Sequence, residues 1–417
     1  MLNSLLTRFF ASRFSASGRV LALLWLTMLG VAPGCNSSSP EPAVANPPTV
    51  PPPPVAPPAP VLVGSSLIGE YTPAQLAARV SDIPLVGTLA RYSVRVYRLT
   101  YTTQNTDGHP VTASGAVLVP VAPAAVPVIS YQHGTLQPDE ETRAPSYYSS
   151  RSEIWSAVSV LAATGYVVSA PDYIGYGASR ALPHPYEHGA SLASASADML
   201  RATREFCAQQ KISVNQKNFL LGYSEGGYAT LALHKLLEEK YAATLPVTAS
   251  APGAGAYHKS AFARYIMRST EPLNFLSTYV WVLRTYDRVY QLNRPFGYYY
   301  QEPYATRLQA DPFSPVPQQA AQLFAPTFRQ AVLTDSDPAL TATLTANDVY
   351  DWQPKAPLAL FHGTADDYVP FFNSQDAYNA MRARGAANVE LRPIQGGTHF
   401  SAAPVYTLQA YAFISQF

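Results

Sequence analysis

The chain has 417 residues and a formal net charge of +1, with 28 Lys and Arg set against 27 Asp and Glu. Such a balance leaves no electrostatic footprint for nucleic acid or a strongly charged partner. Hydrophobic residues make up 47% and charged residues 13%, ample apolar material for one large core. The two cysteines, Cys35 and Cys207, stand far apart, and Cys207 in the helical stretch 197–210 reads as a small buried apolar residue.

Arg8, Arg13 and Arg19 precede an uncharged run from Val20 to Gly34. A basic segment followed by a short apolar one reads as an export signal over residues 1–35, too short for a membrane span. Cys35 follows Ala32-Pro33-Gly34, which resembles the lipobox of bacterial lipoproteins, although Ala32 and Pro33 depart from its usual pattern. The expectation is lipidation at Cys35 and anchoring at the cell envelope, with simple secretion as the other outcome. Residues 36–60 are nearly all Ser, Pro, Ala and Val, a Pro-rich linker that extends rather than packs. The folded domain is then expected over 61–417, as a monomer and without internal repeats.

Tyr92 to Thr103 and Val111 to Val119 alternate around the turn Asn105-Thr106-Asp107-Gly108, which predicts an antiparallel hairpin. Short apolar runs then alternate with helical segments. The runs are Val126–Tyr131, Tyr166–Ala170, Asn218–Leu221, Val247–Ala251, Pro357–Phe361 and Val389–Ile394. Continuous apolar strands between helices predict an α/β fold with a mostly parallel sheet covered on both faces. Ligands on such sheets bind at the carboxyl ends of the strands.

One such end carries Gly222-Tyr223-Ser224-Glu225-Gly226-Gly227 between the Phe219-Leu220-Leu221 strand and a helical stretch. A serine on so tight a turn needs small neighbours two positions away. It then stands at a helix amino terminus, where the dipole favours developing negative charge. Ser224 is therefore the candidate nucleophile.

A serine hydroxyl needs an adjacent base and a third group to orient that base. On an elbow of this kind the acid follows the serine in the chain and the histidine follows the acid. Asp366 leaves the strand that ends at Phe361-His362-Gly363, with Asp367 beside it as the other carboxylate. His399 follows the next strand, after Gly396-Gly397, and is the last of the eight histidines. His362 reads as a brace for the Asp366 loop. The oxyanion donors are expected to be the N–H groups of Glu225 and of Thr135, in the loop His133-Gly134-Thr135.

With these motifs in order, the chain resembles the α/β-hydrolase superfamily, nearest to secretory lipase-like and bacterial esterase branches. The resemblance spans Tyr92 to Phe417 and includes Pro171-Asp172-Tyr173-Ile174-Gly175-Tyr176-Gly177. It implies ester hydrolysis through an acyl-enzyme on Ser224, with His399 as base, Asp366 as orienting acid and no cofactor or metal. A serine peptidase of the same fold, or a binding protein on a hydrolase scaffold, are the competing readings. The insertion between the Val247 and Pro357 strands, at about 255–350, is expected to form an aromatic-rich helical cap. His133, Tyr223, Tyr279 and Trp281 are candidates for contact with a small-molecule or lipid ester. Asp172 reads as a turn residue.

Overall fold

The computed structural model describes residues 59–81 and 84–417. The signal, Cys35 and nearly all of the Pro-rich linker lie outside the described residues. Nine strands form one sheet in the order β1-β2-β3-β5-β4-β6-β7-β8-β9. Strands β2 (Val94–Gln104) and β3 (Pro110–Pro120) form the expected hairpin, with Gly108 at φ 83° in its turn. From β5 (Val167–Pro171) onward the neighbours run parallel: β4 (Val126–Gln132), β6 (Val214–Tyr223), β7 (Val247–Gly253), β8 (Leu358–Gly363) and β9 (Val389–Ile394). Sequence patterning did not reveal β1 (Leu62–Tyr71), an edge strand on β2 whose Gly- and Ser-rich run is mostly exposed and twice irregular in register.

Every residue of β5 and β8 is buried. Their side chains alternate between two apolar clusters on opposite faces, so these strands read as continuous apolar runs. Ile129, Phe219 and Phe361 join one face with helices Ala157–Ala163 and His399–Ile414. On the other face Val128, Leu220 and Leu360 pack beneath helices Gly189–Gln209 and Glu225–Lys240. Each such Leu, Ile or Phe contributes about 1.5–3 kcal/mol on burial. That is what fixes the register and hence the height at which each strand ends.

Between β7 and β8 a run of helices from Lys259 to Ala346 builds its own core around Phe262, Ile266, Tyr286, Tyr300, Phe324 and Phe328. Among the described residues no helix is long and apolar enough to cross a membrane.

His188 caps the amino terminus of the Gly189–Gln209 helix, its Nδ1 facing Ser191 N–H and Oγ. Burial, with the positive charge of Arg288, pushes this imidazole down from 6.5 to about 4. The folded protein thus refuses a proton that the unfolded chain accepts. The stability that His188 contributes is full above pH 6.5 and falls as pH drops towards 4. His188→Asn keeps an acceptor at the cap and removes the titration. Urea unfolding at both ends of that window should show a loss roughly 2–3 kcal/mol smaller in the variant than in the parent. Equal losses would contradict this assignment.

Candidate active site

Strand β6 ends at Tyr223, and Ser224 turns sharply at φ 61°, ψ −124° before the Glu225–Lys240 helix begins. That backbone conformation costs a non-glycine residue about 1–3 kcal/mol, so the surroundings must enforce it. The Ser224 N–H donates to Gly253 O at 2.9 Å, and Tyr228 N–H donates to Ser224 O at 3.0 Å. Tyr406 Oη accepts from Gly222 N–H at 2.9 Å and lies within reach of the Gly222 and Ala251 carbonyls. The glycines are required by space. A Cβ on Gly226 would lie 2.1 Å from Gln132 O, and one on Gly227 would lie 2.0 Å from Gly253 O.

The ends of β8 and β9 bring the partners. His399 Nε2 is 2.9 Å from Ser224 Oγ, and His399 Nδ1 is 2.8 Å from Asp366 Oδ2. His399 lies in the first turn of the final helix, not on a free loop. Thr398 caps that helix in a reciprocal pair with Ser401, which fixes the imidazole's approach. Asp366 Oδ1 accepts the N–H groups of Tyr368 and Val369 at 2.9 and 2.7 Å. Burial pushes the Asp366 carboxyl up, but hydrogen bonds from His362 and His399 and their charges outweigh it and hold it well below the usual range. Among the described residues Asp367 Oδ1 faces only the backbone N–H of His399, at 3.4 Å, and it is Asp366 that faces the Nδ1 of His399. His362 is fully buried and spans Ser374 Oγ and Val369 O at 2.7 Å each, bracing the loop as expected.

The loop after β4 reaches the same edge. Glu153 holds it, accepting the Gly134 N–H at 2.8 Å and the Tyr131 hydroxyl at 2.5 Å. The Thr135 N–H has no acceptor among the described residues. Glu225 N–H belongs to the first turn of its helix, where no intrahelical acceptor exists. The two amides expected as oxyanion donors are thus both without an acceptor among the described residues, one on the loop after β4 and one on the residue after Ser224. The Thr135 hydroxyl is 3.0 Å from Tyr186 Oη, which ties the loop to the cap side.

A cavity of about 20 Å³ adjoins Ser224, walled by Tyr186, Glu187, Phe262, Tyr279 and Tyr368 among others. Of the four contact candidates only Tyr279 lines it. Trp281 sits two residues further along the same helix, so the helical turn carries it to a different cleft. Tyr223 lies behind the site, donating to His399 O at 2.7 Å. His133 is buried beneath its loop, with Nδ1 2.7 Å from Gly134 O and its ring against Tyr173. Asp172 is a buried brace that accepts Ser114 Oγ–H at 2.5 Å and Ser146 N–H at 2.7 Å.

Several residues here were invisible to motif reading. Buried Glu225 pairs through its carboxylate with His184 Nε2 at 2.7 Å. Glu187 forms a buried ion pair with Lys259, the first residue of the cap helices, and Tyr286 donates to Glu187 O at 3.0 Å. Asn347 joins Gly189 N–H, Tyr228 Oη and Tyr290 Oη. Only the long spacing of these pairs hides them, since no local pattern marks a contact across that much chain. Among the described residues no group of three or more His, Cys, Asp or Glu is placed to hold a metal ion.

Comparison with known proteins supplies a context for this geometry. No curated protein matches the chain. A Legionella pneumophila protein provisionally described as a hydrolase is similar in structure at TM-score 0.77 and 28% identity, over 85% of this chain and 98% of its own. The rice cell wall degrading esterase LipA of Xanthomonas oryzae follows at TM-score 0.72 and 26% identity, over 85% and 96%. Candida antarctica lipase A in its closed state shares the fold at TM-score 0.62 and 17% identity, over 85% and 81%. The model of the alpha/beta hydrolase family matches residues 133–409, and the chain belongs to that family.

Proposed function

We propose that the protein is a serine carboxylesterase or lipase that works through an acyl-enzyme on Ser224. The unbroken hydrogen-bonded line from Ser224 through His399 to Asp366 carries this reading. In it, His399 Nε2 takes the serine proton as Oγ attacks the ester carbonyl. Asp366 fixes the Nδ1–H tautomer and stabilises the imidazolium. The carbonyl oxygen gains charge between the N–H groups of Thr135 and Glu225, each donor of this kind being worth about a hundredfold to a thousandfold in kcat. His399 then returns the proton to the departing alcohol, and water attacks the acyl-enzyme by the same route in reverse. LipA is an esterase, which supports an ester bond over a peptide bond as the target.

The cavity beside Ser224 is narrow, about 20 Å³, and Phe262 and Tyr279 from the cap form part of its wall. In this reading the aromatic walls from the cap, Phe262 and Tyr279, shift when substrate enters. The acyl chain then lies among them, beside the Glu187–Lys259 pair.

Hydrolysis of nitrophenyl esters of graded chain length tests the mechanism. Ser224→Ala should lower kcat by about a millionfold. Asp366→Asn should lower it by roughly ten-thousandfold through the wrong tautomer, and Asp367→Asn by less than about tenfold. Near-parental turnover in Ser224→Ala would refute the nucleophile, and the opposite order of the two Asp variants would refute the acid.

We also propose that the chain is exported and lipidated at Cys35, resting on the basic segment, the apolar run and the Pro-rich linker. Mass measurement of the mature amino terminus should show a diacylglycerol-type adduct on Cys35 as first residue. An unmodified cleavage product would exclude it.

A further inference from the structure

Glu187 stands just before helix Gly189–Gln209 at φ 52°, a left-handed turn that Tyr286 braces by donating to its carbonyl at 3.0 Å. The residue is 7% exposed and forms one wall of the narrow cavity beside Ser224. Its two carboxylate oxygens differ. Oε2 accepts from the Lys259 ammonium, itself buried against the Tyr228 ring. Oε1 accepts no hydrogen bond among the described residues. Nor is it sealed away, in contrast to Glu225 Oε2, which is fully buried without a partner.

The other walls of the cavity offer Oε1 no donor. The Tyr186 hydroxyl is 3.0 Å from Thr135 Oγ1, and the Tyr368 hydroxyl is 3.3 Å from Thr278 Oγ1. The Tyr279 hydroxyl is buried with no partner at all, so it does not reach the carboxylate either. Phe262 and Val282 are apolar. The charge of Glu187 is nonetheless felt at Tyr186, Tyr279, Tyr368 and His399, the groups around Ser224.

A carboxylate oxygen so placed discriminates between substrates. A purely hydrocarbon acyl chain would strip water from Oε1 and return nothing, whereas a hydroxyl would donate to it. An ammonium would enter against the like charge of Lys259, which already neutralises this carboxylate. Because Ser224 and Glu187 share one narrow cavity, the hydroxyl must lie on a carbon near the ester carbonyl.

We propose that Glu187 selects esters whose acyl group carries a hydroxyl close to the scissile carbonyl, with that O–H donating to Oε1. This rests on Ser224 being the nucleophile and names the acyl class its cavity takes.

Acid release at constant pH from methyl 3-hydroxybutyrate, methyl 3-methoxybutyrate and methyl 3-aminobutyrate tests it. Hydroxyl and methoxyl withdraw electrons alike, so their ratio isolates the donated hydrogen bond. In the parent, kcat/KM should favour the hydroxy ester over the methoxy ester by about tenfold to a hundredfold. Glu187→Gln must turn its oxygen to Lys259, which leaves an amide N–H group for the cavity, a donor that serves either substituent. Glu187→Met combined with Lys259→Met replaces the pair by apolar side chains, a change that buried ion pairs generally tolerate. In both variants the ratio should fall below about threefold, which also controls for the extra methyl of the methoxy ester. A preference that survives in both variants, or an amino ester faster than the hydroxy ester, would overturn the proposal. Turnover of the hydroxy and methoxy esters at similar rates by the parent would overturn it and leave the Ser224 reading standing. No turnover of these or of nitrophenyl esters would remove that reading and the proposal together.

Discussion

The structure turns on one constraint: the backbone of Ser224 is forced into a left-handed conformation between strands that leave no room for anything but glycine beside it. Strand β4 presses on Gly226 and β7 on Gly227, each through a carbonyl oxygen. The parallel sheet therefore sets the position of Ser224, and the strain is sustained by the sheet's burial. Because β4, β6, β8 and β9 run in the same direction, the loops that follow them meet at one edge. The amides, the serine, the carboxylate and the imidazole arrive there from four separate stretches of chain.

The supporting shell converts that meeting into fixed geometry. Tyr406, from the final helix, reaches back to the elbow while the same helix presents His399 in its first turn. One element thus orients both His399 and Ser224. The cap is fastened to this assembly through buried polar pairs. Glu187 holds Lys259, whose ammonium lies 4.2 Å from the centre of the Tyr228 ring on the helix that follows Ser224. A buried ion pair of this kind adds little net stability, but breaking it costs several kcal/mol, so it fixes where the cap sits.

Much of this was legible in the amino-acid sequence, for physical reasons. The strands β4 to β8 are buried on both faces over most of their length or at their carboxyl ends and announce themselves as apolar runs, whereas β1 is an exposed edge and leaves no such trace. Ser224 was legible because tight turns demand glycine at defined spacings. Asp366 could not be separated from Asp367 until the loop showed which carboxylate faces Nδ1. Aromatic content could not say which ring faces which cavity. Tyr279 and Trp281 are two residues apart and serve different spaces, while Tyr223 and His133 are buried supports. Glu153, Glu187 and Asn347 act over sequence separations that only the fold closes.

The central claim is that Ser224 is activated as a nucleophile by His399. Peptide mass mapping after treatment with a fluorophosphonate probe measures this directly. The account expects a single adduct, on the peptide containing Ser224, formed rapidly in the parent and nearly abolished in His399→Ala. An adduct on another residue, or labelling of Ser224 that is indifferent to His399, would contradict it.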